Sequence, residues 1–176
     1  MFRRVIITVL VAAASVLFVT GPAQAFPATA CDRTAGPEGR PGDYKDYTSP
    51  LDRTVWTHNM YACQWLDNGK SWTFYKGTAT LRMVNGDLGV YNKAGVRKWH
   101  TNTAGSGATQ MLFQQDGNLV LYTSGYGRAV WSSGTYNKCD RYSEFPILAT
   151  QSDNNLVIYC GIAGTKAIWA THTAGI

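Results

Sequence analysis

Gln114, Asp116, Asn118, Val120 and Tyr122 occupy every second position of one short stretch, and the same five types return in the same order at Gln151, Asp153, Asn155, Val157 and Tyr159. An ionised carboxylate only accepts hydrogen bonds, an amide both donates and accepts, and a phenol does either. Brought together, they match a ligand rich in hydroxyls, each of which is itself donor and acceptor. The valine adds a small apolar surface for the C–H side of a ring. An adjacent acid and amide can hold one hydroxyl from two sides and so sense whether it is axial or equatorial. Such a site discriminates well, because an absent hydroxyl leaves polar groups unpaired.

That grouping depends on the backbone. Asn118, Val120 and Tyr122 are spaced by two and share one face of a strand. Apolar runs flank Asp116-Gly117, a dipeptide that marks a tight turn, so each stretch reads as a β-hairpin. Gln114 reaches the face of Asn118 only if the loop holds an odd number of residues, as in a three-residue turn with a G1 bulge. Gly86, Gly117 and Asn154 are expected at equivalent positions of such bulged turns, since Asn best replaces Gly at positive φ.

A third, partial copy precedes the other two. Tyr91, Tyr122 and Tyr159 lie 31 and then 37 residues apart, and each copy is followed by a tryptophan, Trp99, Trp131 and Trp169, within Trp-His-Thr-Asn-Thr, Trp-Ser-Ser-Gly-Thr and Trp-Ala-Thr-His-Thr. Three copies suit a closed, pseudo-threefold arrangement of small antiparallel sheets. The regular tryptophans read as a shared central core rather than as stacking platforms. In the first copy Met83 stands for Gln, Asn85 and Asp87 exchange the acid and the amide, Gly89 stands for Val, and Tyr91 is kept. Met donates nothing and Gly removes the apolar surface, so this degenerate site is expected to be weak or dead. Trp56, Tyr61, Trp65 and Trp72 read as completing the first sheet, and His58, His100 and His172 as solvated turn residues.

The rest of the chain frames this unit. Of 176 residues, 45 % are apolar and only 15 % charged, with 18 Gly against 6 Pro, which describes one folded, turn-rich domain rather than a disordered or coiled-coil chain. Beyond the N-terminal segment no stretch offers ten residues of helical period, so the fold is expected to be all-β. Met1-Phe2-Arg3-Arg4, the apolar run Val5 to Val19 and Ala23-Gln24-Ala25 have the form of a secretory signal peptide over residues 1–25. The run is shorter than the ~20 residues of a membrane span, so no stable membrane insertion is expected. Without Arg3 and Arg4 the charge balance is 14 basic against 11 acidic residues, too mild an excess to suggest nucleic acid. Residues 26–58, rich in Pro, Gly, Arg and Asp, read as an N-terminal extension or linker. All four cysteines lie in the exported part, where disulfides form. Cys31–Cys63 and Cys139–Cys160 are the preferred pairs because they close the shorter loops. Neither Cys nor His has metal-ligand spacing, so no metal or other cofactor is expected.

Gln114-x-Asp116-x-Asn118-x-Val120-x-Tyr122 and Gln151-x-Asp153-x-Asn155-x-Val157-x-Tyr159 resemble, at all five defined positions, the signature of the bulb-type, or monocot, mannose-binding lectins related to the snowdrop agglutinin. The resemblance covers residues 59–176. It implies a β-prism II fold, three four-stranded antiparallel sheets with pseudo-threefold symmetry, and calcium-independent recognition of α-mannose in mannosylated glycans. By it Asp116, Asn118, Asp153 and Asn155 would contact the axial O2, Gln114 and Gln151 the O3, and Tyr122 and Tyr159 the O4, with Val120 and Val157 against ring carbons. Asn85, Asp87 and Tyr91 would mark the degenerate site, leaving two intact sites. The resemblance also allows a homodimer made by exchange of the C-terminal strand, residues 167–176.

The leading expectation is thus a secreted, non-enzymatic carbohydrate-binding protein. The alternative is a lectin-like bacteriocin, in which such a domain docks on envelope polysaccharide and killing follows. A glycoside hydrolase needs a carboxylate pair across a cleft. The two glutamates, Glu38 in the extension and Glu144 in a loop, offer little for that role.

Overall fold

The structure is a computed structural model that describes residues 46–48, 55–60, 63–74, 76–140, 145–161 and 166–176. These form thirteen strands and one short 3-10 turn, Ser124–Tyr126. The signal segment, Cys31, Tyr61, Glu38 and Glu144 lie outside the described residues. Among those described, no helix is long and apolar enough to cross a membrane.

The strands are β1 (Asp46–Thr48), β2 (Trp56–Met60), β3 (Gln64–Asp67), β4 (Ser71–Thr73), β5 (Thr80–Val84), β6 (Asp87–Tyr91) and β7 (Arg97–His100). They continue with β8 (Ala108–Phe113), β9 (Leu119–Thr123), β10 (Ala129–Ser132), β11 (Pro146–Gln151), β12 (Leu156–Cys160) and β13 (Lys166–Ala170). Three sheets result, ordered β4-β5-β6-β7, β10-β9-β8-β3 and β1-β2-β11-β12-β13, and every pairing is antiparallel. The fold is the all-β, three-sheet prism that the repeats predict.

Alternation along the strands sends Leu81, Met83, Leu88 and Val90 of the first sheet, Met111, Phe113, Leu119 and Leu121 of the second, and Leu148, Leu156 and Ile158 of the third into one buried core. None of these sheets is large enough to bury its apolar face alone; facing one another, the three do. Trp99, Trp131 and Trp169, one from the last strand of each sheet, meet edge to face with centroids 5.5–6.2 Å apart. The tryptophans therefore mark the pseudo-threefold axis, each pair adding about 1 kcal/mol beyond its buried area.

The N-terminal aromatics do not gather in the first sheet as expected. Trp72 lies there on β4, but Trp65 on β3 belongs to the second sheet and Trp56 on β2 to the third. One chain segment hands a fourth strand to each hairpin unit in turn, because every unit supplies only three strands of its own. The third sheet also carries a fifth strand, β1, so the ladder reaches back into the segment read as a linker, and the boundary at residue 59 falls within β2. Cys139 and Cys160 are joined. Cys63 is also disulfide-bonded, and the Cys31–Cys63 expectation itself lies outside the described residues.

Candidate functional site

The second and third hairpins turn as their spacing requires. Gln114 donates its backbone N–H to Asn118 O (2.9 Å) and accepts from Gly117 N–H (3.0 Å), which leaves three loop residues, the last, Gly117, at φ +81°. Gln151, Asn155 and Asn154 repeat these bonds, at 3.0 Å each, with Asn154 at φ 75°. A methyl group at Gly117 would also strike Pro146, coming within 2.9 Å of its Cβ.

The extra loop residue puts Gln114 on the face of Asn118, and the expected side chains meet. Gln114 Nε2 donates to Tyr122 Oη at 2.9 Å, and Gln151 Nε2 to Tyr159 Oη at 3.0 Å. Each phenol oxygen thus accepts, and its own proton is left to donate outward. Burial, then Asp116 and Tyr126, push the Tyr122 hydroxyl above its ordinary value of 10.0 against the opposing effect of the Gln114 bond, so it stays a donor at neutral pH. Asp116 Oδ1 accepts the Asn118 N–H (2.8 Å), and Asp153 Oδ1 the Asn155 N–H (2.9 Å). In the second set Gln114, Asp116, Asn118, Val120 and Tyr122 are all buried, whereas in the third Asp153 and Asn155 are half-buried.

What orients the two asparagines was missed in the sequence. Ser133 Oγ (3.1 Å) and Thr135 N–H (3.2 Å) donate to Asn118 Oδ1, and Thr135 Oγ1 donates to Gly117 O (2.6 Å). Thr171 and Thr173 hold Asn155 Oδ1 and Asn154 O in the same way. With Oδ1 engaged, the Nδ2 group is the end of each amide presented for donation. The signal was present in the Ser/Thr-x-Thr that follows each tryptophan, read there only for its aromatic residue.

The first hairpin departs from the expectation. Val84 pairs directly with Asp87, so Asn85-Gly86 is a two-residue turn with both φ positive, 52° and 78°, as Asn-Gly favours. With one loop residue fewer, the first strand is displaced by one position. Val84, half exposed, occupies the place of Gln114, while Met83, the expected counterpart, is fully buried in the core beside Leu81.

Asp87 takes the place of Asn118. Its Oδ1 accepts from Thr101 Oγ1 (2.9 Å) and Thr103 N–H (3.0 Å), and its Oδ2 from Arg97 Nη1 (2.9 Å) and His100 Nδ1 (2.8 Å). His100 is therefore a partner of Asp87 on β7 and not a solvated turn residue, whereas His172 is exposed. Burial works to raise the Asp87 carboxyl, but the bonds from Thr103, Thr101 and His100 outweigh it and hold the group below its ordinary 3.8. A carboxyl lowered on folding stabilises the fold fully above its unfolded value and loses that contribution as the pH falls through its folded value. Stability against acid, followed by circular dichroism, is expected to weaken below about pH 3.8, and Asp87→Asn to flatten that limb; an unchanged acid limb would contradict the assignment.

No protein-family model matches the chain, and no curated protein matches it. Among solved structures it is similar to a lectin from Marasmius oreades, at 27 % identity over 67 % of this chain and 92 % of that one, with a TM-score of 0.56. It is likewise similar to the monomeric monocot mannose-binding lectins of Gastrodia elata, at 31 % identity over 67 % and 96 %, with a TM-score of 0.54. The Polygonatum cyrtonema lectin, solved with a monomannoside, shares 25 % identity over 67 % and 98 %, with a TM-score of 0.50.

Proposed function

Because the chain belongs to the bulb-type, or monocot, mannose-binding lectin family, we propose that it is a secreted, non-enzymatic lectin that holds α-D-mannose residues of glycans in its second and third cups. The observation that carries this reading is the twice-built set of oriented groups. In each cup a phenol proton, an amide Nδ2 and a carboxylate surround a valine, and each polar group is already held by a bond within the protein. Preorganisation of this kind spares the ligand the ordering cost of mobile side chains. Asp and Asn serve the axial O2, Gln the O3, Tyr the O4 and Val157 the ring carbons, whereas Val120 is fully buried with Trp65, Leu112 and Tyr122 and offers no surface.

Among the described residues, each of these cups holds one carboxylate, Asp116 or Asp153. Glycosidic hydrolysis takes two, flanking the scissile bond, and calcium takes six to eight oxygen ligands, so this donor set supports metal-free binding rather than catalysis. β13 pairs with β12, and a single chain carries both cups. Two shallow sites on one body gain affinity for a branched or clustered glycan by acting together. Export would proceed through residues 1–25.

Titration calorimetry of the protein lacking residues 1–25 with methyl α-D-mannoside is expected to give two sites. Dialysis against EDTA is expected to leave the affinity unchanged. Three equivalent sites, no binding, or a loss on EDTA restored by calcium would each overturn the corresponding part of the reading.

A further inference from the structure

We propose that the first cup, rather than being a ruin of the other two, is rebuilt to bind the anionic group of an acidic saccharide, a carboxylate or a phosphate. The three sheets act as internal controls, because their ladders place residues in matching positions. The position facing Gly89, Val120 and Val157 from the first strand of each hairpin holds Arg82, Leu112 and Ala149. The position facing Tyr91, Tyr122 and Tyr159 from the last strand holds Arg97, Ala129 and Ala167. That facing Gly89, Val120 and Val157 from the same last strand holds His100, Ser132 and Ala170. At all three positions the first cup carries a nitrogen base where the others carry a neutral side chain.

The local geometry shows these groups are held. The Arg82 guanidinium lies over the Tyr91 ring, 4.9 Å from its centroid, and donates Nε–H to Thr80 Oγ1 at 2.9 Å. The tyrosine that elsewhere receives a glutamine here supports a cation. Glycine at position 89 makes the room: a methyl group there would come within 3.0 Å of the Tyr91 ring and 3.2 Å of Arg97 Cδ. Asp87 is 4 % exposed and spends both oxygens on protein donors, while the side chains of Arg97 and His100 are 42 % and 33 % exposed. The acid of this cup is thus turned inward and paired, and the two guanidinium groups with the His100 ring form its rim. A guanidinium carries five N–H donors in a planar fork that fits carboxylate and phosphate oxygens. The bonds described above use Nε of Arg82 and Nη1 of Arg97.

The inference rests on the proposed function only in taking the ligand to be a saccharide. The test is a titration of the isotope-labelled chain, read by amide and side-chain NMR, with methyl α-mannoside, mannose 6-phosphate, glucuronic acid and inorganic phosphate. Anionic sugars are expected to move the resonances of Arg82, Tyr91, Arg97 and His100, and methyl α-mannoside to leave them in place while moving those of the second and third cups. Response to glucuronic acid alone assigns a carboxylate, and response to mannose 6-phosphate alone a phosphate. Arg82→Gln, which leaves the Asp87 pairs intact, is expected to weaken the anionic probe at least about ten-fold, and added salt to weaken it further. The proposal is overturned if neither anionic sugar moves those resonances, if Arg82→Gln binds them as well as the parent, or if inorganic phosphate binds as tightly as mannose 6-phosphate. Failure of methyl α-mannoside to move the other two cups would sink the mannose reading separately.

Discussion

Asn118→Asp and Asn155→Asp, introduced together, are expected to leave the fold intact and to lower affinity for methyl α-mannoside at least about 30-fold, or ~2 kcal/mol at ~1.4 kcal/mol per ten-fold. The inner bonds can be kept, since Asp87 Oδ1 in the first repeat accepts from Thr101 and Thr103 as Asn118 Oδ1 accepts from Ser133 and Thr135. Asp87 also has Arg97 and His100 where the other cups have Ala and Ser, so the folded variant is expected to be less stable than the parent. Only the outward end of the side chain changes. There an N–H donor becomes an oxygen that accepts only, and it lies beside the acid that anchors the same turn, Asp116 or Asp153. A ligand hydroxyl then loses its donor and meets two like charges, a loss larger than that of one neutral hydrogen bond, ~1 kcal/mol. Because like charges at close range favour protonation of one of them, part of the affinity is expected to return as the pH is lowered toward ~4. Calorimetry with the double variant checks this, with circular dichroism to verify folding. A folded double variant that binds as the parent does would show that these amides take no part in recognition.

Met83→Gln is expected to destabilise the domain by roughly 2–4 kcal/mol without creating a mannoside site, whereas Val84→Gln is expected to change stability by no more than about 0.5 kcal/mol. Counting back from Tyr91 makes position 83 the missing glutamine, and repair there would look like restoration of the motif. The hairpin register instead places Met83, 0 % exposed, in the core with Leu81 and Leu88, and puts Val84, 49 % exposed, on the face of the cup. An amide at position 83 would be buried among apolar side chains with no place to bond. For a domain of this size the penalty corresponds to a fall of roughly 10 °C in Tm. Thermal melts of the two variants decide the matter: equal Tm values, or a third mannoside site gained by Met83→Gln, would mean that the register is that of the other two hairpins.

How much of this was legible beforehand differs by residue. The strand alternation around Asn118 and Asn155, the need for an odd loop at Asp116-Gly117, and the central role of Trp99, Trp131 and Trp169 follow from local chemistry. Side-chain period, turn residues and apolar bulk act within a few positions and recur in each copy. Arg82, Arg97 and His100 gave no such signal, because each lies outside the five-position pattern and joins it only across a ladder. Thr101, Ser133 and Thr171 were visible as part of a repeated string, but their purpose, to fix which end of the facing side chain points outward, depends on a bond spanning 14 to 16 positions.

The amino-acid sequence by itself determined the class of fold, the number of repeats and the two complete five-residue sets, because a period of two and a turn residue with positive φ are properties of neighbouring residues. Only the tertiary structure decided that the N-terminal strands are shared out one to each sheet, that the first hairpin is one residue short and so turns Met83 inward, and that its cup is rimmed with cations. These are consequences of register and of packing around a common axis. A single omitted loop residue reverses which side of a strand meets water, and no composition or spacing within one strand records which partner it will find across the sheet.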